Sequence, residues 1–380
     1  MLDPPTGIRV ADCSTVNGLP PLLLHGAKTV INPTRSIMWA FVALVAMMAS
    51  AVLAQPDNNY SVDPAWMWTS EPVSDEAITV TEAVTGSDIP VHLMFVELRD
   101  GVYAPIGLRK PEGQGPFPTI VFAHMNGGLG MRWIREWTQN GSWTPEQFLA
   151  AGYAVVWMRY RAEVDNSYGS PLIEGEWQGR QIFSRGPFEY EDAISIVEYL
   201  KTLPYVDRKR VGYLGVSHGG EMLMKIASEY NGLRAGIASE PASIEYLARR
   251  PRDPSDVPAQ PEAETNELYS AQLEVRKTLE MRQRLDLETA MKRINAINTP
   301  ILVQGRHRDH NQAIFRLNYE LLKEASKDVE WKSYDHDEHA FIFVKRNADG
   351  VYAPDPIQVE AVSDSVEYFD RYMKIADEER

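Results

Sequence analysis

Val211-Gly212-Tyr213-Leu214-Gly215-Val216-Ser217-His218-Gly219-Gly220 is the stretch on which the reading of this chain turns. Residues 211–216 form a nearly unbroken apolar run, as expected of a strand buried on both faces. Residues 218–230 have helical patterning, so Ser217 falls between a strand and a helix. A sharp strand-to-helix turn of this kind pushes its central side chain outward, and the residues two positions away must be small to avoid a clash. Gly215 and Gly219 occupy those two positions. The start of the helix also presents the backbone N–H of His218 where negative charge could develop.

The surroundings repeat the same alternation. Short apolar runs at 118–124, 153–160, 235–239, 300–304 and 329–334 predict strands. Segments at 189–203, 311–325 and 355–375 predict helices, the last opened by Asp355-Pro356. Thr144-Pro145-Glu146-Gln147 predicts a helix with Thr144 as N-cap, Pro145 at the first helical position and Gln147 closing a capping box, ending at Gly152. Strand–helix alternation at this spacing implies an α/β domain with a mostly parallel sheet covered on both faces. Residues 77–108 hold two or three strand-like runs with a turn at Gly101, which fits an antiparallel start to the same sheet. Residues 242–298 break the rhythm. A Pro-rich charged stretch is followed by a helical run over 268–294, an insertion placed to act as a lid.

Composition narrows the functional classes. The 380 residues are 44% hydrophobic and 24% charged, a globular balance, with one cysteine and so no disulfide framework or cysteine-rich zinc module. A formal charge of −15 repels phosphate backbones, which argues against a nucleic-acid partner.

A serine placed like Ser217 needs a base, and the base needs an orienting carboxylate, in the chain order serine, acid, histidine. His339 follows the strand at 329–334 and Asp309 follows the strand at 300–304, so two successive strand ends can deliver them. His336 is the rival base and Glu240, at the end of 235–239, the rival acid. His307 and His310 are expected to be loop residues. The loop after 118–124 reads His124-Met125-Asn126-Gly127-Gly128-Leu129-Gly130, and a second oxyanion donor is expected from Met125 or Asn126, beside His218. These glycines do not form the G-x-G-x-x-G dinucleotide fingerprint, and neither histidine cluster has H-E-x-x-H spacing, so neither cofactor nor metal is expected. Trp133 and Trp137, one helical turn apart, are expected in the core.

These residues resemble the α/β-hydrolase superfamily, and within it the catalytic domain of the prolyl oligopeptidase family, with dienelactone-hydrolase-like and acyl-esterase relatives. The resemblance runs from about Pro118 to Ile375. It is carried by Leu149-Ala150-Ala151-Gly152-Tyr153-Ala154-Val155, Tyr160-Arg161, Tyr168-Gly169, Glu191-Asp192, Val206-Asp207, Gly215-Val216-Ser217-His218-Gly219-Gly220, Asp309-His310-Asn311 and His339-Ala340-Phe341. It implies a serine hydrolase with Ser217 as nucleophile, Asp309 as acid and His339 as base, acting on a small ester or short peptide. A carboxylesterase without peptidase activity and a non-catalytic binding protein on the same fold are the other readings. The chain departs from the family pattern in the loop at 124–128, in one extra residue between Gly305 and Asp309, and in Ala162 after Tyr160-Arg161.

Residues 37–54 (IMWAFVALVAMMASAVLA) have Ser50 as their only polar side chain, follow Arg35 and end in small residues before Gln55. A signal peptide is expected, giving a periplasmic or secreted protein, with an uncleaved anchor as the rival. Translation from about Val30 would give a short basic leader. Cleavage after Ala54 would remove Cys13 and leave a cysteine-free chain. Residues 55–117 are then expected to supply the first strands of a hydrolase domain spanning 118–380. Those 63 residues are too few for the β-propeller of large family peptidases.

Overall fold

The apolar runs assemble into one nine-stranded sheet. The structure, a computed structural model, describes residues 80–99, 103–123, 130–160, 186–241, 245–248 and 271–374. The chain divides into Met1–Pro72 and Val73–Arg380, and every described residue belongs to the second unit. The apolar segment 37–54, the turn at Gly101, the loop 124–129, and the 242–244 and 249–270 parts of the predicted insertion lie outside the described residues.

The strands are β1 (Val80–Glu82), β2 (Val91–Glu97), β3 (Tyr103–Arg109), β4 (Phe117–Ala123), β5 (Ala154–Met158), β6 (Val206–Val216), β7 (Ala235–Ser239), β8 (Ile301–Arg306) and β9 (Val329–Tyr334). Their order in space is β1-β2-β3-β5-β4-β6-β7-β8-β9. β1, β2 and β3 pair antiparallel, and β3 meets β5 antiparallel. From β5 onward every pairing is parallel. The antiparallel start and parallel body match the expectation, and the order of connection reverses at β4, which has β5 on one side and β6 on the other. Loops after β4 and β6 leave such a reversal point in opposite directions and open a crevice at the carboxyl edge.

Burial on both faces explains the unbroken apolar runs. The helices are α1 (Met131–Asn140), α2 (Trp143–Ala150), α3 (Gly186–Leu200), α4 (His218–Glu229), α5 (Ala271–Gln283), α6 (Leu287–Ala296), α7 (Gln312–Glu324) and α8 (Pro356–Met373). On one face, Ile196 and Leu200 of α3, Leu223 and Ile226 of α4, Ile294 of α6 and Phe315 of α7 form one core with Val211 and Tyr213. On the other, Trp133 and Trp137 of α1, Phe148 of α2 and Phe369 of α8 pack with Leu214 and Val216. Trp133 and Trp137 are therefore core residues, each with its ring centroid within 6 Å of Trp157.

Two local expectations are corrected. Thr144 is not the N-cap of α2, which starts at Trp143 after Ser142. Its hydroxyl donates instead to the Ile342 carbonyl, a long-range acceptor that no local pattern reveals. The helical run over 268–294 is broken between α5 and α6. There Asp286 caps α6 by accepting from the Thr289 N–H and hydroxyl, while its own N–H donates to the Ala248 carbonyl. An aspartate that finds its capping partners is more stable at a helix start than inside one.

At α8 the expectation holds. Asp355 caps the helix through the N–H groups of Ile357 and Gln358, the Gln358 side chain accepts from the Asp355 N–H, and Pro356 opens the helix. Asp355→Ala should therefore destabilise the domain by about 1–2 kcal/mol. Urea denaturation of both proteins measures it, and an unchanged midpoint would show that the cap contributes nothing.

Candidate active site

The four strands from β6 to β9 deliver polar groups to the carboxyl edge of the sheet. Ser217 follows β6, Glu240 follows β7, Arg306 ends β8 with Asp309 three residues on, and His336 and His339 follow β9. The ladder continues past the strand ends and fixes their relative heights. Ser217 N–H donates to the Ser239 carbonyl at 2.9 Å, Glu240 N–H to the Gln304 carbonyl at 2.8 Å, and His307 N–H to the Tyr334 carbonyl at 2.8 Å.

Ser217 is held in a strained conformation, φ 57° and ψ −116°, which an L-residue adopts only where its surroundings impose it. The imposition is steric. A Cβ at Gly215 would stand 2.1 Å from the Gly219 carbonyl oxygen, and one at Gly219 would stand 2.2 Å from the Ala123 carbonyl oxygen. Helix α4 thus starts pressed against both β6 and β4. Ser217 lies at its very start and accepts from the Glu221 N–H at 3.1 Å.

Asp309 and His339 meet. Asp309 Oδ2 lies 3.0 Å from His339 Nδ1 and 2.7 Å from Arg306 Nη2, while Oδ1 accepts from the Asn311 N–H at 2.7 Å. Burial pushes the Asp309 carboxyl up, but the hydrogen bonds from His339 and Asn311 and the positive charges nearby outweigh it and hold it at about 2. Burial pulls the His339 imidazolium down. The hydrogen bonds and negative charge of Asp309 and Glu240 outweigh that and lift it to about 9.

The rivals divide. His336 is occupied elsewhere: its Nε2 lies 2.8 Å from Asp355 Oδ2, its Nδ1 accepts from the Glu338 N–H, and its ring stacks on Phe341. Glu240, by contrast, is fully buried and approaches His339 Nδ1 to 3.4 Å. His310 is exposed and His307 is half-buried against Asp335. Glu240, Asp309 and His339 bring one ligand atom each within 4.8 Å of one another, close enough for a metal ion. The Arg306 guanidinium already contacts both carboxylates, so a cation there would have to displace an arginine.

On the other side of Ser217, the His218 imidazole is held by Glu189 at 2.7 Å and Glu221 at 3.6 Å. Burial pulls its imidazolium down, and the two glutamates more than reverse this, raising it to about 9. Only its backbone N–H is then available as an oxyanion donor. Met125 and Asn126, the candidates for the second donor, lie outside the described residues. Beside His339 an open groove of about 1030 Å³ is lined by Trp133, Trp137, Phe343, Glu136 and Lys345. Sequence reasoning missed Arg306, Glu189 and Glu221 as site residues; each carries a charge that becomes significant only once buried.

A sheet wound this way, with a strained serine on a tight turn between a central strand and a helix packed close against it, is the α/β-hydrolase fold. Among the families built on it, the sequence profile of the Prolyl oligopeptidase family matches residues 139–375, and the chain belongs to that family. It is 29% identical over 163 residues to the "Uncharacterized peptidase YuxL" of Bacillus subtilis (strain 168), a match covering 41% of this chain and 22% of the relative. Similar solved structures include the acylaminoacyl peptidase of Pyrococcus horikoshii (16% identity, TM-score 0.47, 77% of this chain and 43% of that one). A fungal esterase from Rhizomucor miehei is another (16% identity, TM-score 0.49, 78% and 87%). The chain thus spans less than half of either peptidase it matches.

The two raised histidines predict how stability depends on pH. A group whose pKa is higher folded than unfolded contributes stability that is full below its unfolded value, about 6.5, and lost as pH rises through its folded value. For His218 and His339 the window runs from about 6.5 to about 9. Tm should fall across that window, and less steeply in His218→Gln. Thermal denaturation from pH 6 to pH 10 checks this, and a flat or rising Tm would contradict it.

Proposed function

We propose that this chain is an exported serine hydrolase that cleaves a carboxylic ester or a short peptide through an acyl-enzyme on Ser217. The observation that carries the reading is the Asp309–His339 pair, 3.0 Å apart, at the same sheet edge as the strained Ser217. Family membership supports hydrolytic chemistry, and the apolar run at 37–54 supports export.

Asp309 beside Nδ1 keeps a proton on that nitrogen and leaves His339 Nε2 to serve the serine. Nε2 takes the hydroxyl proton as Ser217 Oγ bonds to the substrate carbonyl carbon. The negative charge that develops on the carbonyl oxygen is met by the His218 N–H and by a donor from 124–129. The imidazolium then protonates the leaving alcohol or amine as the C–O or C–N bond breaks. Water repeats the sequence on the acyl-enzyme and releases the acid and Ser217. The hydrogen bonds and negative charge of Asp309 and Glu240, which raise His339, stabilise the imidazolium formed in each half-reaction. In this reading access is shaped by residues 161–187 and by the insertion 242–298; among the described residues of the insertion, α5 and α6 lie beside α7 and α4.

Ser217→Ala should reduce kcat by about 10³-fold or more and abolish labelling by a fluorophosphonate probe, with the fold intact. Labelling that survives in the variant would assign the nucleophile elsewhere. Esters need less leaving-group protonation from His339 than amides do. Short-chain aryl esters should accordingly give higher kcat/KM than dipeptide amides when both series are run on the same preparation. Amide cleavage without ester turnover would overturn the ester reading.

A further inference from the structure

The loop carrying His339 is fastened by two buried groups that the serine–aspartate–histidine scheme does not use. Arg306 donates from Nη1 to the carbonyls of His336 and Asp337 at 3.1 and 2.9 Å, from Nη2 to Asp309 at 2.7 Å, and from Nε to Glu240 Oε1 at 3.2 Å. The other Glu240 oxygen accepts from the N–H of Ala340, the residue after His339, at 2.6 Å. Glu240 Oε1 also lies 3.4 Å from His339 Nδ1, against 3.0 Å for Asp309. Glu240 is fully buried and has a positive φ of 48°, which is uncommon for a non-glycine residue.

We propose that Glu240 is a second carboxylate serving the catalytic histidine, a positioning residue that anchors the His339 loop and shares with Asp309 the stabilisation of its imidazolium. This rests on the serine-hydrolase reading of the same site. Two carboxylates and one guanidinium leave a net negative charge facing Nδ1. Arg306 offsets the mutual repulsion that two carboxylates on one imidazole would otherwise suffer. Asp309 has the shorter contact and is ringed by further donors, so it remains the principal acid. Glu240 adds charge and holds the loop in register through Ala340.

The charged and titratable groups around His339 are Asp309 and His310 from the loop after β8, Arg306 from β8 and Glu240 from β7. Asp337 and Glu338 belong to its own loop, and Glu136, Lys345 and Asp355 line the adjoining groove. Among the described acids, Asp309 and Glu240 are those that contact its ring nitrogen.

The test is the pH dependence of kcat/KM for an aryl ester. The base must be neutral to act, so the wild-type acidic limb should lie above 6.5, the ordinary histidine value, toward 9. Glu240→Gln keeps the shape and removes the charge, and the limb should move about one pH unit toward acid. Glu240→Asp keeps the charge and should stay closer to wild type than to the Gln variant. Asp309→Asn, which loses control of the imidazole tautomer, should cost on the order of 10⁴ in kcat, far more than Glu240→Gln. An unmoved limb in a folded Glu240→Gln protein overturns the proposal. So does an inactive Glu240→Gln beside a fully active Asp309→Asn, because Glu240 would then be the principal acid. Should Glu240→Gln fail to fold, Asp309→Asn carries the test: Glu240 should keep its residual limb above 6.5, and a limb at or below 6.5 overturns the proposal. If the wild type is not labelled at Ser217 by the fluorophosphonate, it is the serine-hydrolase reading that fails, before any variant is made.

Discussion

Everything at this site depends on how closely α4 starts against the sheet. At Gly219 the helix backbone stands so near the Ala123 carbonyl that no side chain fits, and at Gly215 the strand stands as near to the helix. That contact holds Ser217 at a positive φ on the turn between β6 and α4. The same contact brings the first turn of α4 to the end of β4, where the loop 124–129 begins. A single steric constraint thus places the candidate nucleophile and one candidate oxyanion donor together, and ties both to the strand at which the sheet order reverses.

Around that fixed point the charges are arranged alike on two sides. His339 faces Asp309 and Glu240, and His218 faces Glu189 and Glu221, so each imidazole meets two carboxylates and each imidazolium is stabilised. The consequences differ with position. His339 lies on the loop after β9 and bonds through Nδ1, which leaves its other nitrogen for chemistry. His218 follows Ser217 directly and has both ring nitrogens engaged, so its charge adds to the positive end of α4 rather than to proton transfer. Burial makes these interactions strong and would make any unpaired member costly. Arg306 shows the same economy: one guanidinium joins Asp309, Glu240 and two carbonyls of the loop that carries His339.

The order of elements, the parallel body of the sheet and the positions of Ser217, Asp309 and His339 at strand ends were legible in the sequence. Each rests on local physics: apolar runs for strands buried on both faces, small residues at a tight turn, and Asp355-Pro356 at a helix start. Local patterns failed where a distant group competed. Thr144 looks like a cap, but its hydroxyl is taken by the Ile342 carbonyl. Residues 268–294 look like one helix, but Asp286, anchored at Ala248, starts a second.

The sequence by itself determined that a serine would stand on a strand-to-helix turn, because glycine two residues to each side is a steric requirement written along the chain. It also offered Asp309 and Glu240 as candidates for the acid and His339 and His336 as candidates for the base. Only the tertiary structure shows which of these side chains meet. Strand order and register set which side chains from β7, β8 and β9 share one buried pocket, and they place Asp309 and Glu240 on His339 while Asp355 engages His336. Arg306 became a site residue for the same reason. A charge governs its neighbours only once water is removed from between them, and which charges are desolvated together is a property of the packed sheet edge.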